Sequence, residues 1–158
     1  MHEIPWCFLI DGNVIEAEMQ FQDRSAVHDF QTRDNYDVST RLRVLVVDDE
    51  KDTADTLSAV LESMGHDAYV AYDGEAAVKL AFDVQPECIL LDLGMPTMSG
   101  FAVVGKMKSQ AWGQRAKFIA VTGWDGDEER NRCIEAGFFA HLTKPVNMEL
   151  LKGLLSRV

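Results

Sequence analysis

The sequence predicts an α/β fold, a doubly wound parallel sheet, and three observations carry that expectation. Short apolar runs at 44–47, 88–91, 118–121 and 138–142 are each bounded by polar residues, as strands buried on both faces are. Helical patterns alternate with these runs at short joints from about residue 42 onward. Each run also leads into a polar residue of definite chemical use: Asp48 and Asp49, Asp92, Thr122, and Lys144. Ligands of open α/β sheets bind outside the carboxyl ends of the strands. Three carboxylates, a hydroxyl and an ammonium are therefore expected around one small crevice.

The elements follow in order. Residues 6–10, Asp11-Gly12-Asn13 and residues 14–21 read as a β-hairpin, because Asp-Gly between strand-like segments is a strong turn signal. Its second arm alternates Ile15, Ala17, Met19 and Phe21 with Glu16, Glu18 and Gln20, so one face is apolar. An isolated hairpin is marginal in water, so that face is read as a docking or dimerisation arm or as a loosely held extension. Residues 22–40 are polar and aperiodic and suit a linker or short helix, making 1–40 an N-terminal extension and 41–158 the main domain.

A first helix is expected from Lys51 to Met64, with Leu57, Val60, Leu61 and Met64 at helical spacing and Gly65 as its left-handed stop. A strand at 68–72 leads to Asp73 as cap of a helix through Ala76, Ala77, Leu80 and Ala81, which Pro86 ends. After Asp92 comes a turn-rich loop, 93–100, and then a helix over 101–108. A loop with Gly123 and Gly126 follows the fourth strand and opens a charged helix at 127–136, ended by Gly137. The last helix is expected over 147–157, with no output domain after it.

Bulk properties narrow the function classes. The 158 residues are 47% hydrophobic, enough for a core of ordinary size. A net charge of −11 argues against a nucleic-acid surface and against attraction to anionic lipid. No signal peptide or membrane-length apolar run is visible. Cys7, Cys88 and Cys133 are odd in number and lie outside any C-x-x-C pattern, so they read as reduced thiols in a cytoplasmic protein. His2, His28, His66 and His141 show no metal-ligand spacing.

The crevice has its own chemistry. Mg²⁺ prefers oxygen ligands, takes one or two carboxylates and coordinates phosphate, a demand that Asp48, Asp49 and Asp92 meet. Without a cation the clustered carboxylates repel one another. An aspartate carboxylate can accept a phosphoryl group as an acyl phosphate. Lys144 supplies a point charge for one phosphoryl oxygen and Thr122 a hydroxyl donor for another. Each residue alone has an ordinary explanation as cap, strand residue or solvated surface. It is the ordered set, one after another at successive strand ends, that points to function.

Four segments then carry a resemblance: Val-Leu-Val-Val-Asp-Asp-Glu (44–50), Leu-Leu-Asp-Leu-Gly-Met-Pro-Thr-Met-Ser-Gly (90–100), Ala-Val-Thr-Gly-Trp (120–124) and Leu-Thr-Lys-Pro-Val (142–146). Together they resemble the receiver domains of two-component response regulators, stand-alone or of the hybrid-kinase type, from about 42 to 158. The resemblance implies a flavodoxin-like receiver fold, five parallel strands in the order 2-1-3-4-5 with helices on both faces. It implies that Asp92 is the phosphoacceptor. Asp49 would be a direct Mg²⁺ ligand and Asp48 a water-mediated one, with the Gly94 carbonyl as a further ligand and Mn²⁺ as an alternative ion. Lys144 would pair with the phosphoryl group beside a cis bond to Pro145, and Thr122 would be the switch hydroxyl.

Three positions depart from the common pattern of that family. His141 stands where a Tyr or Phe that turns inward with the threonine is usual, and is read either as a switch residue beside Thr122 and Lys144 or as a half-buried histidine with no switching role; Gly123 leaves one side of the site open, and Gly94 carries no side chain. Trp124 could shield the phosphoryl site or serve as a partner anchor.

The implied partners are a histidine kinase or histidine phosphotransfer protein and a downstream protein target, with homodimerisation open through the hairpin or through the face of the fourth helix, fifth strand and fifth helix. No enzyme activity beyond self-phosphorylation and self-dephosphorylation is expected. Two other readings fit the residues less well. An aspartate-nucleophile phosphatase would carry its two acids two residues apart after the first strand, whereas Asp48 and Asp49 are adjacent. A phosphate-independent binding module would not need the intact acid set.

Overall fold

The computed structural model describes the backbone of residues 6–10 and 13–17, and residues 41–124 and 126–158. The chain divides into two compact units, Met1–Thr40 and Arg41–Val158. In the first, β1 (Trp6–Ile10) and β2 (Asn13–Ala17) pair antiparallel, with Phe8 opposite Ile15 and Ile10 opposite Asn13. The Asp11-Gly12 turn, residues 18–21 and the segment 22–40 lie outside the described residues.

The second unit is an alternating α/β domain. Its strands are β3 (Arg43–Val47), β4 (Asp67–Ala71), β5 (Cys88–Asp92), β6 (Lys117–Thr122) and β7 (Ala140–Thr143). All pair in parallel, in the order β4-β3-β5-β6-β7. Numbered within this unit the order is 2-1-3-4-5, as expected. The helices are α1 (Lys51–Ser63), α2 (Gly74–Val84), α3 (Gly100–Lys108), α4 (Asp127–Glu135) and α5 (Met148–Leu155).

Several boundaries differ from the sequence expectation. Tyr72 falls outside β4, and the run at 138–142 becomes a strand only from Ala140. Phe138 is apolar because it plugs the core: it is 1% exposed and meets the rings of Phe101 and Phe118 edge to face. The apolar run therefore records burial, and only part of it records strand.

Strand alternation splits the core into two layers. Leu45, Val47, Ile89, Leu91, Phe118 and Ala120 face a cluster with Ala77 and Ala81 of α2, Val103 and Met107 of α3 and Cys133 of α4. Val44, Val46, Leu90, Ile119 and Val121 point the other way and are buried as well, as are Leu57 and Leu61 of α1 and Leu151 and Leu154 of α5. β4 is an edge strand of this unit, and Asp67–Val70 are accordingly only half-buried.

The helix ends follow local chemistry. Gly65 adopts φ +93° and Gly137 φ +77°, conformations that suit a residue without Cβ. Asp73 caps α2 by accepting from the Ala76 amide at 2.7 Å. Gln85 takes the left-handed cap position after α2 with φ 49°, just before Pro86. Lys108, the last residue of α3, donates from Nζ to the carbonyls of Ala136 (3.0 Å) and Gly137 (2.6 Å) at the end of α4. Its ammonium thus satisfies acceptors that a helix C-terminus leaves open. Burial there lowers its pKa. The thiols of Cys88 and Cys133 are buried and pushed up to about 12 by desolvation, which makes them inert.

Truncating Phe118 to Ala is expected to lower unfolding free energy by about 3–5 kcal/mol through the cavity it opens, read by urea unfolding. His66 offers a second check. Its Nδ1 accepts from the Leu42 amide at 3.4 Å, and burial, partly offset by the charge of Asp67, lowers its pKa from 6.5. The unfolded chain therefore binds the extra proton first as pH falls. Stability should decline from pH 6.5 downward through the lower folded pKa, and the decline should flatten in His66→Gln.

Candidate functional site

The candidate site forms where β3, β5 and β6 end, because a parallel sheet carries all its C-terminal ends to one rim. β3 stops at Val47, but the Asp48 amide still donates to the Ala71 carbonyl at 3.2 Å, so Asp48 starts from a fixed backbone. Asp48 is 2% exposed, and its Oδ1 accepts from the Glu50 amide at 2.9 Å, turning the chain toward α1. Asp92, 7% exposed, ends β5. Its Oδ1 accepts from the Gly94 amide at 2.8 Å.

Behind Asp92 the chain returns closely. A Cβ on Gly100 would lie 2.8 Å from the Asp92 carbonyl oxygen, so only glycine permits this approach. Asp49 stands exposed next to Asp48. One ligand atom from each of Asp48, Asp49 and Asp92 can be chosen so that all lie within 4.8 Å of one another.

Lys144 completes the cluster from the far side of the sheet. Its amide donates to the Thr122 carbonyl at 2.8 Å, and the Lys144–Pro145 peptide is cis. Its Nζ reaches Asp48 Oδ2 at 2.7 Å and Asp92 Oδ2 at 3.1 Å. Burial raises the Asp48 pKa, and the Asp92 charge adds to that, while the hydrogen bond and charge of Lys144 pull the other way. Burial alone would lower the Lys144 ammonium, but its hydrogen bonds to Asp48 and Asp92 and their charges outweigh it and raise the pKa. One ammonium thus stands against three carboxylates.

Thr122 ends β6 one residue beyond Val121, the register partner of Asp92, and is 3% exposed. Its Oγ1 accepts from the Trp124 amide at 3.1 Å, which leaves the hydroxyl proton for another acceptor. His141 lies in β7 opposite Ala120, half-buried and on the same strand face as Thr143.

The expected acids and the lysine are therefore brought together, with Thr122 on the adjoining strand end. The backbone contact from Trp124 to Thr122 and the steric demand at Gly100 are not visible in the sequence. The first is a main-chain bond that residue identity does not encode. The Ser99-Gly100 pair does signal a helix start, but not what packs behind it.

A rim of buried acids with one ammonium at the ends of a 2-1-3-4-5 sheet defines a signalling domain of the receiver class. Comparison with known proteins agrees. The family described as the response regulator receiver domain matches residues 44–156, and this chain belongs to that family. An uncharacterised 14.6 kDa protein of Leptolyngbya boryana is 34% identical over 113 residues, covering 71% of this chain and 86% of the relative. Chemotaxis protein CheY4 of Vibrio cholerae has a similar structure, with TM-score 0.71 and 29% identity over 75% of this chain and 98% of CheY4. The receiver domain of a Pseudomonas aeruginosa sensor histidine kinase, solved with magnesium coordinated in its active-site cleft, gives TM-score 0.68 at 28% identity, covering 74% and 96% of the two chains. Among the described residues no helix is long and apolar enough to cross a membrane.

Replacing Lys144 by Met should leave Asp48 and Asp92 facing each other unneutralised. Without divalent ions a loss of about 1–3 kcal/mol of stability is expected, measurable by urea unfolding, and millimolar Mg²⁺ should restore a larger share in the variant than in the wild type.

Proposed function

We propose that residues 41–158 act as a single-domain response regulator receiver, with 1–40 as an N-terminal extension. In this reading Asp92 accepts a phosphoryl group from a histidine kinase or a histidine phosphotransfer protein in a Mg²⁺-dependent reaction, in the cytoplasm. The observation that carries it is the Lys144 ammonium shared by Asp48 and Asp92, beside an exposed third carboxylate. A structural ion pair would not require that third acid.

The donor set fits a hard dication: three carboxylates, with neither thiolate nor imidazole among them. Asp48, Asp49 and Asp92 would hold it, together with the Gly94 backbone carbonyl, and Mn²⁺ could replace Mg²⁺. When bound, the ion supplies positive charge that offsets the acids and the incoming phosphoryl oxygens.

The chain's own groups do the rest. An Asp92 carboxylate oxygen attacks phosphorus, the P–N bond of the donor phosphohistidine breaks, and its electron pair leaves on the imidazole nitrogen. Lys144 sits on Asp92 Oδ2 and can follow the new charge onto a phosphoryl oxygen. Thr122 donates its hydroxyl to another, in a site already closed to bulk water on its side. The Gly94 and Leu93 amides, bonded to Asp92 Oδ1 and the Val121 carbonyl, hold the acceptor loop in place. His141, in the strand next to β6, is the candidate switch partner of Thr122.

Signalling then passes to a separate protein through the α4, β7 and α5 face, which could also pair two copies. Phosphorylation need only bias that surface by a few kcal/mol.

Incubation with acetyl phosphate and Mg²⁺ should add one phosphoryl group to the protein by intact mass. Asp92→Asn should take up none, and Asp49→Ala should slow uptake at least a hundredfold. Label retained in Asp92→Asn, or uptake indifferent to chelation of Mg²⁺, would refute the assignment.

A further inference from the structure

The loop over residues 93–99 joins Asp92 to α3 and carries Gly94, whose backbone carbonyl is proposed above as a cation ligand. Asp92 is held by the pairing of β5 with β6, whereas Gly94 lies outside any strand. The loop is tethered near its start by the Leu93 amide on the Val121 carbonyl at 3.2 Å and the Gly94 amide on Asp92 Oδ1 at 2.8 Å. At its end Gly100 packs behind Asp92. Between these tethers two methionines anchor it: Met95 is buried, and Met98 packs against the core cluster.

Met98 rests on the start of α2. A Cβ on Gly74 would lie 2.8 Å from Met98 Cβ, 3.0 Å from Met98 Sδ and 2.9 Å from Val103 Cγ2. Carbon atoms in contact prefer about 3.5–4.0 Å, so residue 74 has no room for a side chain. Met98 Cβ and Val103 Cγ2 sit close to the backbone and cannot swing aside as a side-chain tip can. Gly74 is not among the glycines with positive φ. It serves the close approach and not a turn. The start of α2 is itself fixed, because Asp73 accepts from the Ala76 amide at 2.7 Å and Ala77 and Ala81 are buried in the core. The helix is the seat, and the loop is the part that gives.

Resting on the cation-site reading above, we infer that Gly74 is a positioning residue for the divalent cation: the gap at residue 74 seats Met98, and the seated loop sets where the Gly94 carbonyl stands. An alanine there shifts the loop, and with it a proposed ligand that no strand holds, while Asp48 and Asp92 keep their backbone bonds. The effect falls on cation affinity more than on attack by Asp92.

The probe is Mn²⁺, titrated onto the full chain and followed by loss of the free-ion electron paramagnetic resonance signal. Gly74→Ala should weaken Mn²⁺ binding about tenfold, the scale of a lost outer-shell partner. Met98→Ala empties the seat without a clash and should weaken binding about threefold; it decides the matter if Gly74→Ala does not fold. Leu154→Ala, a core truncation in the opposite layer, controls for lost stability and should leave Mn²⁺ affinity unchanged. Labelling of Gly74→Ala by acetyl phosphate should be slow at low Mg²⁺ and near the wild-type rate once Mg²⁺ saturates it. Wild-type Mn²⁺ affinity in both seat variants overturns the inference, as does an equal loss in Leu154→Ala or a labelling defect that saturating Mg²⁺ leaves in place. If the wild type itself binds no Mn²⁺, the cation-site reading fails, an outcome distinct from a wild type that binds and variants that match it.

Discussion

The site depends on one electrostatic constraint: two buried carboxylates share a single ammonium. Lys144 lies within 3.1 Å of oxygens from both Asp48 and Asp92, and neither acid can be buried as a charge at these distances without it. That contact ties the end of β3 to the end of β5 and both to the loop after β7. The sheet supplies the precision. β3 and β5 are adjacent and parallel, with Val47 opposite Leu91, so the residues that follow emerge side by side. Aligning carboxylates by backbone hydrogen bonds leaves little of the arrangement to flexible side chains.

The arrangement is also incomplete as a set of charges. Lys144 offsets one negative charge, while Asp49 remains exposed and Asp48 is pushed toward protonation by its burial. A site built this way has room in its charge balance for a cation at the three acids. The same imbalance explains why the crevice is lined by groups that are poor neighbours in a protein interior.

Much of this was legible in the sequence, because a parallel sheet converts linear order into spatial proximity. Asp48, Asp92, Thr122 and Lys144 each follow an apolar run, and strand direction alone takes them to one rim. Gly65, Asp73 and Gly137 likewise announced their helix ends by residue type. Boundaries were less legible where burial and strand pairing part company. Phe138 belongs to the apolar run before β7 yet serves as a core plug, and Tyr72 extends the run of β4 without pairing. The left-handed Gln85 gave no signal, since glutamine carries no preference for that conformation. Nor did contacts between segments far apart in the chain, such as the close passage of Gly100 behind Asp92, because they depend on how finished elements pack.

The lysine at the end of α3 has a mechanical meaning. Lys108 grips the last carbonyls of α4, and Arg132 of the same helix lies over the Phe101 ring at 4.4 Å. These clamps sit toward the C-terminal half of α4, whereas its opposite end joins the loop that carries Trp124 beyond Thr122. With Lys108 on its closing carbonyls and Arg132 on the Phe101 ring, the C-terminal half of α4 and the helix α3 form a braced pair.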